Sequence, residues 1–215
     1  YNQLSSFNIG LYGEWGSGKT SVINMVEENI ISLTSELTKK PVIIRFNPWL
    51  FSDQTQLTIQ FFKQLSSAYK RTNAVKAIGN AMDALGSAFE FISVPIAGYS
   101  GGAIAKFVKG IGKGLADKSP SPDIQKLKDE IAAKLQKEKV KTIIIIDDVD
   151  RLSNQEICSV FQLIKSIADF PNTIYLLAFD FEVVSRALGK VQNTDGKKYL
   201  EKIIQVPFHL PKINE

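Results

Sequence analysis

The chain is poor in the residues from which disulfide bonds and zinc sites are made. Its 215 residues include one cysteine, Cys158, and one histidine, His209. A lone cysteine cannot form an internal disulfide, which suits a reducing compartment and predicts the cytoplasm. No second histidine or nearby cysteine completes a zinc set with His209. We therefore interpret both residues as structural.

The chain also lacks a long hydrophobic run. Its longest uncharged stretch, Phe91 to Ala105, has 15 residues and contains one proline and three glycines. A membrane-spanning helix needs roughly 20 apolar residues, so this stretch is too short. We expect a soluble or surface-lying segment here, at most peripheral to the inner face of the membrane. Membrane insertion in an assembled state is the alternative.

Arginine is scarce and the positive charge is uneven. Four arginines stand beside 22 lysines, and the net charge is +4. Ten of the lysines, against five acidic residues, lie between Gly102 and Lys141. Such a flank can meet nucleic acid or an anionic membrane surface, and it can equally be a solvated helix face. No aromatic residue interleaves with the lysines from Lys109 onward, which weakens single-strand stacking as a function.

The chain does contain a phosphate-loop motif. Residues 13–20 read GEWGSGKT, fit G-x-x-x-x-G-K-[ST], and follow the apolar run Phe7 to Tyr12. In such a loop backbone N–H groups face phosphate oxygens, while Lys19 reaches the β- and γ-phosphates and the Thr20 hydroxyl ligates Mg²⁺. The motif predicts nucleoside triphosphate binding without distinguishing ATP from GTP. The candidate binding residues are Gly13, Glu14, Trp15, Gly16, Ser17, Gly18, Lys19, Thr20 and Ser21.

A second motif supplies carboxylates. Four consecutive isoleucines, 143–146, predict a strand buried on both faces of a parallel sheet, and Asp147 and Asp148 close it. Ligands of open α/β sheets bind at these carboxyl ends. We expect Asp147 to hold Mg²⁺ beside Thr20, and Asp148 to orient or deprotonate the attacking water. A capped strand end with solvated acids is the alternative.

Strand and helix patterns alternate along the chain, which predicts parallel pairing with crossovers. The predicted strands are Phe7–Tyr12, Val42–Phe46, Thr142–Asp147, Ile174–Phe179 and Ile203–Phe208. The predicted helices are Lys19–Thr38, Thr55–Tyr69, Ile124–Lys137, Gln155–Ala168 and Phe181–Leu188. Ser153 and Glu156 can cap the fourth of these helices.

An insertion over about residues 72–122 interrupts this alternation. Apolar residues recur at helical spacing from Val75 to Ile92 and again from Ile104 to Leu115, on either side of the glycine-rich stretch 95–102. The two patterns together predict a helical hairpin. The chain does not open with methionine, so we expect it to be one domain, residues 1–215, of a longer protein.

Four motifs in this order resemble the KAP family of P-loop NTPases. They are the phosphate loop, Phe46-Asn47-Pro48-Trp49, Ile146-Asp147-Asp148-Val149-Asp150-Arg151, and Tyr199-Leu200-Glu201-Lys202-Ile203-Ile204. The resemblance implies a three-layer α/β fold with a five-stranded parallel sheet of order 5-1-4-3-2 and helices inserted between the nucleotide motifs. It also implies phage defence as the setting if the source is bacterial.

The resemblance extends the candidate site. It places Asp180 at the end of the fourth strand, level with Asp147, where related ATPases have a residue that senses the γ-phosphate. A helix N-cap is the alternative role. We interpret Asn47-Pro48-Trp49 as a structural turn with an anchored indole rather than as a nucleotide contact.

A transferred phosphoryl group is commonly neutralised by an arginine in cis or from a neighbour. Arg151 and Arg186 are the two arginines predicted near the active edge, and Arg151 could equally pair with Asp150. An arginine acting in trans would require self-association.

We therefore expect a Mg²⁺-dependent ATPase that uses Lys19, Asp148, Asp180 and Arg151 and acts as a regulatory or assembly switch. Its output would pass to an effector domain or protein beyond this chain. Three alternatives stay open: a nucleotide-binding scaffold with little turnover, a phosphotransferase that uses the insert as a lid, and a membrane-acting effector.

Overall fold

The computed structural model describes residues 5–51, 54–71, 75–93 and 123–211. The second half of the predicted hairpin lies outside these residues. The first half forms a helix.

The centre of the fold is a parallel sheet of five strands in the order β2-β3-β4-β1-β5. Its strands are β1 Phe7–Tyr12, β2 Val42–Phe46, β3 Thr142–Ile146, β4 Thr173–Phe179 and β5 Val206–His209. The predicted order 5-1-4-3-2 is confirmed. β3 and β4 pair from Thr142 with Thr173 to Ile146 with Leu177, and β1 pairs with β4 up to Tyr12 with Phe179.

Seven helices are described. They are α1 Lys19–Leu33, α2 Gln54–Lys70, α3 Lys76–Ser93, α4 Ile124–Glu138, α5 Asn154–Gln162, α6 Phe181–Gln192 and α7 Gly196–Glu201. Short 3-10 turns span Pro48–Leu50 and Val149–Arg151, and a π-helical turn, Leu163–Ile167, extends α5.

The two faces of the sheet are covered very differently. On one face, α2 to α7 enclose a large core that includes Phe46, Ile146 and Phe179 from the strands. On the other face, a cluster of five buried residues consists of Ile23 of α1 and four residues of the strands. Of the fifteen residues of α1, two are buried, Lys19 and Ile23. The fold therefore has three layers, in which the sheet lies between a thick helical layer and the thin layer formed by α1.

Helix α3 packs on α2. Its residues Ile78, Met82 and Leu85, and Val75 just before it, belong to the large core. Phe89 stacks on Phe62 of α2 with ring centroids 6.0 Å apart. The apolar helix face that the sequence predicts from Val75 onward therefore packs against α2.

Several predicted elements differ from those of the structure. Helix α1 ends at Leu33 rather than Thr38, because the Thr34 side chain bonds back to the carbonyl of Ile30 and a turn follows. The residues before β5 include the unpredicted helix α7, which Asp195 caps. The predicted last strand begins too early, because the N–H groups of Ile203 and Ile204 return to the carbonyl of Leu200 in a turn.

Candidate nucleotide-binding site

The phosphate loop lies where β1 passes into α1. The N–H of Gly13 donates to the carbonyl of Phe179 at 3.2 Å, so the start of the loop is held against the end of β4. Gly16 and Gly18 have φ values of 79° and 86°, a left-handed conformation that glycine adopts without strain. A Cβ added at either glycine would meet nothing within 4 Å in the described part of the chain. The loop thus borders open space.

Lys19 opens α1 with a buried side chain. Its ammonium donates to the carbonyl of Gly13 at 2.9 Å and to that of Glu14 at 3.1 Å. A buried ammonium without partners would be costly, so these two carbonyls stabilise it. The donors of Lys19 therefore face the first residues of the loop.

Thr20 and Asp147 meet across the carboxyl edge of the sheet. The Thr20 hydroxyl donates to Oδ2 of Asp147 at 2.7 Å, and Oδ1 of Asp147 accepts the N–H of Asp148 at 2.8 Å. The two residues are 127 positions apart in sequence, and parallel strands bring them together. Both are hard oxygen ligands of the kind Mg²⁺ prefers, close enough to share one ion.

Asp148 adopts a left-handed conformation, with φ 58°, and starts the 3-10 turn that follows β3. Asp tolerates this conformation better than most residues. Partial burial and the neighbouring Asp147 carboxylate raise the pKa of Asp148, while Arg151 opposes that shift. A carboxylate with a raised pKa is a stronger base, as a role in orienting or deprotonating water requires.

Arg151 connects the carboxylates to the loop. Its Nε lies 3.0 Å from Oδ1 of Asp148, and its guanidinium lies over the Trp15 ring, 4.5 Å from the centroid. The predicted alternative of an ion pair with Asp150 is wrong, because the 3-10 turn directs the arginine back to Asp148. Nothing in the sequence spacing predicted the contact with Trp15.

Ser17 carries an unsatisfied polar atom inside the loop. Its N–H donates to the carbonyl of Glu14 at 3.2 Å, but its buried Oγ has no hydrogen-bond partner among the described residues. Buried hydroxyls normally have partners, so this atom is a candidate to bond a group that is bound by the loop.

Asp180 directly follows β4. Asp147 is one residue past the last pair of β3 with β4, Ile146 with Leu177, and Asp180 is three residues past it. A role of Asp180 as a sensor of the γ-phosphate level with Asp147 stays a prediction. One carboxylate oxygen of Asp180 accepts the N–H groups of Glu182 at 2.9 Å and Val183 at 3.1 Å, which is N-cap geometry.

The other singled-out residues have structural surroundings. Trp49 is 51% exposed, so the predicted anchored indole is wrong, and Pro48 is the buried residue of that turn. Arg186 is exposed on α6. The Cys158 thiol is buried. His209 stands edge-on to Tyr12 with ring centroids 5.0 Å apart.

The residues present fit a polyphosphate with a divalent cation. The left-handed glycines border open space, Ser17 leaves a polar atom unused, and Thr20 and Asp147 bring two oxygen ligands within hydrogen-bonding distance of each other. Lys19 would reach the phosphates, and Thr20 and Asp147 would hold the ion. Ser21 is exposed at the start of α1.

This fold and loop define the chain as a nucleotide-binding P-loop domain. The family model described as the KAP family P-loop domain matches residues 2–214. The chain belongs to the KAP family of P-loop NTPases. The Phage T7 exclusion protein of Escherichia coli (strain K12) is 30% identical over 229 residues, which cover 95% of this chain and 30% of that protein. The chain thus spans less than a third of the length of this curated relative.

Solved structures give lower similarity. The Aeropyrum pernix ORC1 protein in complex with DNA is 12% identical with a TM-score of 0.45, covering 97% of this chain and 40% of that one. The Aeropyrum pernix ORC2 protein is 14% identical with a TM-score of 0.40, covering 97% and 42%. Within the described ranges no helix has both the length and the apolar character needed to cross a membrane.

Proposed function

We propose that this domain binds ATP with Mg²⁺ and hydrolyses it, and that the nucleotide state acts as a regulatory or assembly switch. The observation that carries the proposal is the 2.7 Å contact between the Thr20 hydroxyl and the Asp147 carboxylate at the mouth of the phosphate loop. Two oxygen ligands for a divalent cation thus meet beside the loop, which supports binding of a Mg²⁺–nucleotide complex.

Each residue has a distinct task in this proposal. Lys19 and the loop N–H groups bind phosphate oxygens, and Thr20 and Asp147 hold the ion. When bound, Mg²⁺ neutralises charge on the phosphates. Asp148 orients the attacking water and accepts its proton. Arg151 is the candidate to offset charge that develops on the phosphoryl group.

Asp180 has two candidate roles, a helix cap and a sensor of the bound phosphates. One carboxylate oxygen of Asp180 caps α6, and the preceding residue, Phe179, accepts the N–H of Gly13. We propose that the remaining oxygen responds to the phosphate end of the site. The cap alone explains an aspartate at this position equally well.

The test is phosphate release together with nucleotide affinity for the full-length protein. Lys19→Ala should abolish binding, because it removes the phosphate-facing ammonium. Asp147→Asn should weaken Mg²⁺ binding, so that turnover requires a higher Mg²⁺ concentration. Asp148→Asn should keep binding and slow turnover by about 100-fold or more, the size expected for loss of a general base. Wild-type protein that releases no phosphate under any nucleotide and metal condition would refute the proposal.

Asp129→Asn is the matched control. This exposed carboxylate on α4 accepts a hydrogen bond from Gln125 and lies outside the site. It makes the same change from carboxylate to amide, so turnover should stay at the wild-type level. Equal losses in Asp129→Asn and Asp148→Asn would point to a general effect of charge or folding.

A scaffold with little turnover is the second candidate. The observation in its favour is the ion pair between Arg151 and Asp148, which engages the carboxylate proposed as the base. Under this reading Asp148→Asn would leave both nucleotide affinity and output unchanged. The comparison of Asp148→Asn with wild type thus separates the two candidates.

Phage defence is the biological setting we propose, because a curated relative is named a phage exclusion protein. Self-association, an effector beyond this chain, and contact with nucleic acid or a membrane surface belong to the same proposal. Adding DNA, RNA and liposomes to the phosphate-release assay tests the last two. A rate per subunit that rises with protein concentration would support self-association.

A further inference from the structure

Arg151 is held from two sides by groups from different parts of the chain. Its Nε pairs with Asp148, three residues before it, at 3.0 Å. Its guanidinium stacks over the ring of Trp15, in the middle of the phosphate loop, at 4.5 Å. This is a direct side-chain link between the loop and the carboxylate that ends β3.

The backbone under Arg151 is fixed. The 3-10 turn buries Val149 completely, and the N–H of Arg151 donates to the carbonyl of Asp148 at 3.1 Å. The backbone from which the Arg151 side chain extends is therefore constrained.

Trp15 gains little from burial, because 70% of its surface is exposed. Most of the other loop positions are glycine or serine. Packing does not account for a large aromatic ring at such a position, but the face of the ring attracts a guanidinium. Stacking on Arg151 is thus a specific contact that the structure gives this indole.

We infer that Trp15 is a positioning residue that keeps the guanidinium of Arg151 beside the phosphate loop. Arg151 can then turn from Asp148 towards an anion held by the loop while its stack on Trp15 persists. This inference rests on the proposed function, since it assigns Trp15 to the same site.

The first test needs no nucleotide. The chain has two tryptophans, so Trp49→Phe leaves Trp15 as the fluorescent reporter. In that background Arg151→Gln should change the intensity or wavelength of emission, because a positive charge leaves the ring face. The matched control is Arg71→Gln, an exposed arginine at the end of α2, which should leave the spectrum unchanged. Identical spectra for Arg151→Gln and its parent would overturn the inference.

The second test is a mutant cycle on turnover by the full-length protein. Trp15→Leu should lower kcat by about tenfold or more through misplacement of Arg151, and this loss should exceed any loss of ATP affinity. Trp15→Tyr should restore most of the rate, because a tyrosine ring also binds cations. Trp15→Leu should have no further effect in Arg151→Gln protein.

Additive losses in the cycle, or a loss that falls on ATP affinity alone, would overturn the inference, because Trp15 would then act independently of Arg151. A wild-type protein that binds nucleotide without hydrolysing it would overturn the proposed hydrolysis. In that case the emission comparison still decides the role of Trp15.

Discussion

Replacing Gly13 by alanine tests how the phosphate loop is packed. Gly13 lacks the positive φ of Gly16 and Gly18, so its backbone accepts alanine. The obstacle is steric: the new Cβ would lie 2.2 Å from Oγ and 3.1 Å from Cβ of Ser17. The serine has to move by about 1 Å, against a backbone held by its bond to Glu14. Overpacking of this kind costs about 1–3 kcal/mol of unfolding free energy.

Ser17→Ala should relieve most of this clash. It removes the atom at 2.2 Å, and that atom is a buried hydroxyl without a partner in the described part of the chain. Loss of an unsatisfied polar atom is neutral or stabilising by about 1 kcal/mol. The double variant Gly13→Ala/Ser17→Ala should therefore lie within about 1 kcal/mol of wild type, with a coupling energy of about 1–2 kcal/mol.

The assay is urea unfolding without nucleotide, followed by circular dichroism, with equal m-values required for comparison. Gly16→Ala is the control, because its cost of about 1–2 kcal/mol comes from a left-handed backbone and not from Ser17. Ser17→Ala should therefore not rescue it. A Gly13→Ala protein as stable as wild type, or equally destabilised with and without the serine hydroxyl, would refute the packing described for this loop.

Two further predictions concern stability. Gly196→Ala should lower the unfolding free energy by about 3 kcal/mol or more in thermal or urea unfolding, because its Cβ would lie 1.8 Å from the backbone oxygen of Ser185. Gly189→Ala, whose nearest contact is 3.1 Å, should stay within about 1 kcal/mol of wild type because helix propensity offsets it, and equal losses would contradict the difference. Burial raises the pKa of Tyr69 to about 12, so its contribution to stability is complete below pH about 10 and falls above it, by about 1.4 kcal/mol per pH unit. Tyr69→Phe should reduce the decrease in the urea midpoint between pH 10 and 12. An unchanged slope of the midpoint against pH would refute this account.

The sheet and the phosphate loop could be predicted because local sequence patterns specify both of them. The isoleucines 143–146, followed by two aspartates, predict a buried strand, and the glycine motif after β1 predicts a tight phosphate-binding turn. Because parallel strands place their carboxyl ends at one edge, the contact of Thr20 with Asp147 could be predicted. The capping box of Ser153 and Glu156 is also confirmed.

The wrong predictions concern residues that can form two different local contacts of comparable stability. Thr34 could continue a helix or bond back to it, and it bonds back. Asp195 and Gly196 begin a short helix whose six residues are too few for a periodic pattern. The exposure of Trp49 and the stack of Trp15 on Arg151 depend on which loops face each other, and no spacing along the chain encodes that.

The uneven layers of the sheet bear on how the site can move. Helix α1 carries Lys19 and Thr20 at its start, yet two of its residues are buried, against eight in α2. Displacing α1 exposes little apolar surface, so a shift of this helix costs far less than a shift of α2. We therefore expect α1 to move when the bound ligand is exchanged, while the helices on the opposite face of the sheet stay in place.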